Sequence, residues 1–123
     1  MAHRILIIED DPDVSRLLCA RLRSLGFQPE AAADAMQGVT LAQRSPPDLI
    51  ILDLAMPAGG GMSVLRRLRS LAKTSMLPII VLTGSSDEAK KQEALNAGAD
   101  AFVVKPYEAE GLLAEIRERL CLA

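Results

Sequence analysis

Aromatic side chains are nearly missing from this chain: it has no tryptophan, one tyrosine and two phenylalanines, 2% of its 123 residues. A flavin sandwiched between rings is therefore not expected, and no loop rich in Ser and Thr offers to hold a flavin phosphate. Half of the residues are nonetheless hydrophobic, so the core has to be built from Leu, Ile, Val, Ala and Met. Charge of one sign is lacking too: 14 basic residues face 16 acidic ones, a net −2 with an isoelectric point near 5.4. That balance provides no electrostatic footprint for nucleic acid or for an anionic membrane. The two cysteines, Cys19 and Cys121, form no CxxC pair and fall within expected helices, which reads as buried or incidental thiols in a reducing compartment. No apolar run approaches the roughly 20 residues of a membrane span, and the N-terminus carries no basic segment followed by a long apolar one. A soluble, cytoplasmic protein is expected, in contact with neither membrane nor nucleic acid. One domain over 1–123 is expected, with no room for a separate output domain.

What the chain does have is alternation. Short apolar runs take turns with stretches of helical period, the pattern of repeated βα units around a parallel sheet. Five units can be counted, with strands expected at Arg4–Ile8, Gln28–Ala32, Asp48–Leu52, Ile79–Leu82 and Ala101–Val104. The first helix is the clearest. Asp11 can cap it, Pro12 suits its first turn, Val14, Leu17, Leu18, Leu22 and Leu25 form an apolar stripe, and Gly26 ends it. Later helices are expected at about Asp34–Arg44, through Val64, Leu65, Leu68 and Leu71, over Ser86–Ala97 ending at Gly98, and from about Glu108 to Leu120, with Leu112, Leu113, Ile116 and Leu120 inward. The third strand is apolar nearly throughout, as a strand covered on both faces should be. After it, Leu54–Gly61 reads as a mobile loop with three successive glycines. The Arg66, Arg67 and Arg69 cluster reads as the solvated face of the third helix, and Met56 and Met62 as packing residues.

Four of the strands break off at polar groups: Glu9, Asp10 and Asp11 after the first, Asp53 after the third, Thr83 after the fourth and Lys105 after the fifth. In a parallel α/β sheet the carboxyl ends of the strands converge on one edge, where ligands bind. Three of these four carboxylates, a hydroxyl and an ammonium would then share a site. Clustered carboxylates need a counter-ion, and oxygen-only ligands favour a hard divalent cation. Beside such an ion Asp53 could attack phosphorus and form an acyl phosphate, with Lys105 supplying a fixed positive charge and Thr83 a hydrogen bond. Each group also has a plain structural use, as a helix cap, a loop-starting acid, a strand-end β-branched residue or a solvated charge. Four compatible groups at four strand ends favour the site.

The segments Ile5–Pro12, Leu52–Pro57, Ile80–Gly84 and Val104–Tyr107 resemble, in order and spacing, the motifs of the response-regulator receiver domain. The resemblance covers nearly the whole chain. It implies a flavodoxin-like, doubly wound (βα)5 fold with a five-stranded parallel sheet of order 2-1-3-4-5. It further implies a phosphoryl group accepted on Asp53 from a sensor histidine kinase or a histidine phosphotransfer protein. Asp10 corresponds to the direct metal-binding acid, Glu9 to the acid that often holds the metal through water, and the backbone carbonyl of Ala55 to the third contact, for Mg²⁺ or Mn²⁺. Thr83 corresponds to the switch hydroxyl, Lys105 to the phosphate-binding lysine, Phe102 to the aromatic that turns inward when Thr83 moves, and Lys105-Pro106 to a commonly cis bond. A surface of helix 4, strand 5 and helix 5 would carry the change to a protein effector or output domain.

Such a domain is no ordinary enzyme, yet it catalyses its own phosphorylation and dephosphorylation. Ala55 and Ser85 occupy positions that tune loss of the phosphate, and Gly84 one kept small for donor access. The chain has Gly60-Gly61 where the family often has Asp-Gly, and Ala101-Phe102 where DNA-binding members often have Asp and Tyr. A binding-only receiver is the alternative, favoured if an acid, Thr83 or Lys105 were missing. An unrelated phosphohydrolase would ordinarily carry a second Asp at position 55, where this chain has Ala.

Overall fold

The computed structural model describes residues 2–56, 60–84, 88–105 and 109–122. Ten elements alternate along the chain: β1 (Arg4–Ile8), α1 (Pro12–Ser24), β2 (Gln28–Ala32), α2 (Ala35–Arg44), β3 (Leu49–Asp53), α3 (Gly60–Ser70), β4 (Ile79–Thr83), α4 (Glu88–Asn96), β5 (Ala101–Val104) and α5 (Ala109–Arg119). The strands are parallel in the order β2-β1-β3-β4-β5, so the expected doubly wound α/β architecture is the observed one. β3 sits at the centre, buried at every position.

The strand residues alternate between two apolar layers, as the period of two demands. Ile5, Ile7, Leu49, Ile51, Ile80 and Leu82 pack with Leu18, Cys19 and Leu22 of α1 and Leu112 and Ile116 of α5. Leu6, Ile8, Ile50, Leu52, Ile79 and Val81 face the other way, onto Val64, Leu65 and Leu68 of α3, Ala42 of α2 and Ala94 of α4. Met56 is buried in this second layer and Met62 packs against it, as their reading as packing residues requires.

Local signals set the helix ends. The Asp11 carboxylate accepts from the Asp13 and Val14 amides, Pro12 opens α1, and Gly26 follows it at φ +92°, a conformation that glycine adopts without strain. Asp34 caps α2 rather than beginning it, accepting from the Gln37 amide at 2.8 Å. Asp53 and Thr83 are the last residues of their strands instead of the first beyond them, because parallel pairing runs one step further.

Several expectations are corrected. The buried stripe of α1 is Ser15, Leu18, Cys19 and Leu22. Leu17 is 73% exposed, since it lies about 100° around the helix from Leu18, and Leu25 is 41% exposed because it caps the helix end. Cys121 lies beyond α5, exposed and at φ +58°, in a closing turn in which its amide and that of Leu122 bond back to Glu118 and Arg117. Gly60 and Gly61, expected in a loop, form the first turn of α3 and are buried, whereas Leu71 falls past its end. The expected positions of Pro57–Gly59, Ser85, the start of α4 at Ser86, Pro106 and Glu108 lie outside the described residues.

The largest correction concerns Arg69, which is not on the solvated face. Its guanidinium donates to the carbonyls of Gly98 (2.9 Å), Ser75 (3.1 Å), Leu77 (2.6 Å) and Thr74 (3.3 Å), and to the Asp100 carboxylate (2.9 Å). Asp100 in turn accepts from the Ile79 amide at 2.8 Å. One side chain thus ties the end of α3 to the starts of β4 and β5.

Candidate functional site

Parallel register brings the polar strand ends together. Ile8 pairs with Leu52 and Asp53 with Leu82, so Glu9, Asp53 and Thr83 emerge side by side where β1, β3 and β4 end. Lys105 follows β5, and its amide bonds to the Thr83 carbonyl. The carboxylates of Glu9, Asp10 and Asp53 offer oxygens that all lie within 4.8 Å of one another. Lys105 Nζ stands 3.2 Å from Asp53 Oδ2 and 4.0 Å from Glu9 Oε2. Glu9 is 5% exposed, and Asp53 and Thr83 each 4% exposed, while Asp10 reaches solvent.

Three acids facing one lysine are underneutralised, and the consequence falls on Glu9. Burial first, then the hydrogen bond and the charge of Asp53, push its carboxyl up to about 8, with Lys105 pulling weakly the other way. For Asp53, burial raises the pKa, but hydrogen bonds from Glu9, the Ala55 amide and Lys105 outweigh it and hold the carboxyl below its usual range. Near neutral pH the pair therefore holds one proton, chiefly on Glu9.

A stability prediction follows, and its sign is fixed by the raised pKa. Below about pH 4.5 Glu9 is protonated in both states; above it the unfolded chain releases the proton while the folded one keeps it until about pH 8. The metal-free fold should lose stability across that window, by up to a few kcal/mol, and Glu9→Gln should flatten the loss. Urea midpoints at pH 5, 6, 7 and 8 measure it; parallel pH curves for both proteins would contradict the placement of the proton.

The donor set suits a hard divalent cation. All candidate ligands are oxygens, and Glu9 Oε2 is buried without a hydrogen-bond partner, an acceptor that a cation would satisfy. Asp53 Oδ1 accepts from the Ala55 amide at 2.9 Å, which fixes the carboxylate and folds the chain back two residues on. The resemblance points to the Ala55 carbonyl and not to this amide, whose signal in the sequence is an acid at a strand end.

The structure thus gathers Glu9, Asp10, Asp53, Thr83 and Lys105, with Ala55 beside them. Phe102 stands apart, half-buried against the layer of α2, α3 and α4. Beside it runs a groove of about 530 Å³ between α4 and α5, lined also by Lys91, Leu95, Val104, Glu115 and Arg119. A better enclosed hollow, about 410 Å³ between α1 and α5, is lined by none of the clustered acids. No helix among the described residues is long and apolar enough to cross a membrane.

Residues 5–117 match the family described as the response regulator receiver domain. The DNA-binding dual master transcriptional regulator RpaA of Synechocystis is 38% identical over 117 residues, 95% of this chain and 48% of that protein. The phosphate regulon transcriptional regulatory protein PhoB of Escherichia coli is 34% identical over 117 residues, 95% of this chain and 51% of that protein. The chain therefore spans about half the length of these curated relatives. Among solved structures, a putative response regulator from Chloroflexus aurantiacus superposes with a TM-score of 0.92 at 30% identity, covering 98% of this chain and 99% of that one. The BeF3-activated receiver domain of Klebsiella pneumoniae RstA gives 0.88 at 29% identity, covering 95% and 97%.

Proposed function

Because the chain belongs to the response regulator receiver family, we propose that residues 1–123 form a phosphoacceptor switch of a two-component relay, with Asp53 taking a phosphoryl group from a sensor histidine kinase or a histidine phosphotransfer protein. The observation that carries the reading is the Asp53 carboxylate itself: 4% exposed, held by the Ala55 amide on one oxygen and Lys105 on the other, at the centre of an acid cluster. An oxygen of Asp53 bonds to phosphorus as the bond from phosphorus to the donor imidazole nitrogen breaks; that nitrogen keeps the electron pair and takes up a proton, and an acyl phosphate remains. Lys105 follows the charge from the carboxylate to a phosphoryl oxygen, and the Thr83 hydroxyl donates to another. Glu9, Asp10, Asp53 and the Ala55 carbonyl would hold Mg²⁺ or Mn²⁺, which when bound supplies positive charge to the phosphoryl oxygens.

The output follows from packing. Thr83 drawn towards the phosphate leaves room for Phe102, which already borders the groove between α4 and α5. The change is a population shift needing only a few kcal/mol of differential interaction. It would be read on α4, β5 and α5 by a protein effector or output domain in the cytoplasm. The near-balanced charge favours such a partner over direct contact of this chain with nucleic acid. The binding-only alternative loses support because none of the required groups is missing.

Intact-mass analysis after incubation with Mg²⁺ and acetyl phosphate tests the reading. A single phosphoryl adduct, located on the Asp53 peptide and absent in EDTA, is expected. No adduct, together with no beryllofluoride binding, would remove the reading.

A further inference from the structure

The three successive glycines of residues 59–61 are a sequence feature that the switch chemistry leaves unused, and the two described ones differ sharply in their surroundings. A Cβ at Gly60 would meet only ordinary contacts, 3.5 Å from Met56 Cβ and 3.9 Å from Met56 Cε. A Cβ at Gly61 would overlap the Leu54 Cα, and would stand 2.7 Å from the Leu54 carbonyl oxygen and 2.8 Å from that of Asp53. All three obstacles are backbone, which cannot swing aside as a flexible side chain does. The first turn of α3 therefore presses directly on the Asp53–Leu54 peptide, and only a residue without a side chain allows that approach.

From this geometry we infer that Gly61 is a positioning residue for the phosphoacceptor: it seats α3 against the backbone of Asp53 and Leu54 and so sets where the Asp53 carboxylate and the Ala55 peptide stand. Three connected observations support it. Asp53 is the last residue of β3, so its backbone is fixed by pairing on one side only. Leu54 is fixed by the hydrogen bond that its amide N–H donates to the Leu82 carbonyl at 2.9 Å, leaving its own carbonyl to face Gly61. One residue further, the Ala55 amide holds Asp53 Oδ1 at 2.9 Å. A side chain at 61 has to push this segment or α3 away. Displacing Leu54 moves the Ala55 peptide, whose amide orients the carboxylate and whose carbonyl is the candidate metal contact. Errors of about 1 Å at a reacting group cost roughly 100-fold in rate.

The inference rests on the phosphoacceptor reading, and its test separates the two. Wild type, Gly61→Ala, Gly60→Ala and Gly98→Ala are compared. Gly98 serves as the control for general destabilisation: it sits at φ +111° at the opposite end of the sheet, and a Cβ there would press on Arg69 Cγ at 2.8 Å. Mg²⁺ affinity, the amide shift of Ala55, and the phosphorylation rate at saturating Mg²⁺ and acetyl phosphate are measured in about 1 M trimethylamine N-oxide, which favours the compact state. Gly61→Ala is expected to weaken Mg²⁺ binding at least about tenfold, shift the Ala55 amide and slow phosphorylation by roughly 100-fold. Gly60→Ala and Gly98→Ala should match wild type in all three. Wild-type values in Gly61→Ala, equal losses in Gly98→Ala, or a Gly61→Ala chain that stays unfolded in the osmolyte would each overturn the role. A wild-type chain that takes no phosphoryl group would instead fail the underlying reading.

Discussion

Asp53→Asn is expected to abolish the phosphoryl adduct altogether and, in the absence of metal, to leave the fold more stable than wild type. Asparagine keeps the shape of the side chain and an oxygen to accept from the Ala55 amide, so the β3 end should not rearrange. It cannot act as the anionic nucleophile, and a neutral amide brings no charge to share with a cation. The stability gain comes from the company Asp53 keeps. Glu9 and Asp53 are both buried, and Lys105, 3.2 Å from one and 4.0 Å from the other, is their shared partner. Removing one acid leaves Lys105 to the other and withdraws one of the causes that push Glu9 up to about 8. A gain on the order of 1 kcal/mol near neutral pH is expected, along with a flatter pH dependence. Intact mass reads the first effect and urea unfolding the second. An adduct that persists on another residue would sink the assignment of Asp53, and a destabilised variant would show that the hydrogen bonds Asp53 receives from Lys105 and Glu9 outweigh the cost of keeping Glu9 protonated.

Arg69→Met should cost about 1.5–3 kcal/mol, the worth of charge-assisted hydrogen bonds at a site that is only part-buried, Arg69 being 17% and Asp100 39% exposed. That is a large part of the roughly 5–15 kcal/mol that holds an ordinary domain together. Methionine replaces most of the stem that packs near Gly98 but none of the donors. Four carbonyls and the Asp100 carboxylate would lose a charged hydrogen-bond partner at once. Arg69→Lys should recover only part of the loss, because a compact ammonium cannot span a fan of acceptors on three segments. The arginine sits by the first residues of β4 and β5 while Asp53 and Thr83 end their strands, so the folded fraction should keep its phosphorylation rate. A loss below about 1 kcal/mol in urea unfolding would show that water replaces the guanidinium and that the network is incidental.

Arg69 is also the plainest failure of sequence reasoning. Three arginines at positions 66, 67 and 69 carry the same charge on one helix, and two of them are indeed exposed. The third differs only because the turns at residues 74–77 and the α4–β5 connection place carbonyls around it, and no local pattern encodes that meeting. Cys121 failed for a related reason: the helical period continues through Leu120, but the chain closes in a left-handed turn. Leu17 enters the α1 stripe on hydrophobicity alone, where three residues back from Leu18 and Leu22 lie Ser15 and Cys19; Leu25 keeps the spacing, three residues on from Leu22, and is exposed only because the helix ends there.

Strand identity, the parallel sheet and the capping of α1 were legible because each rests on short-range chemistry: apolar runs covered on both faces, an acid before a proline, a glycine after the last turn. The polar strand ends were legible as a group for a topological reason, since parallel strands deliver their last residues to one edge whatever lies between them. By itself, then, the sequence determined which residues would meet. How they meet was decided by the tertiary structure alone: that burial beside Asp53 raises the Glu9 carboxyl while hydrogen bonds hold Asp53 low, that the Ala55 amide fixes the carboxylate, that Gly61 must lack a side chain while Gly60 need not, and that Arg69 anchors the far end of the sheet. Burial, distance and the approach of one backbone to another are properties of packed surfaces, and segments far apart in the chain must come together before any of them has a value.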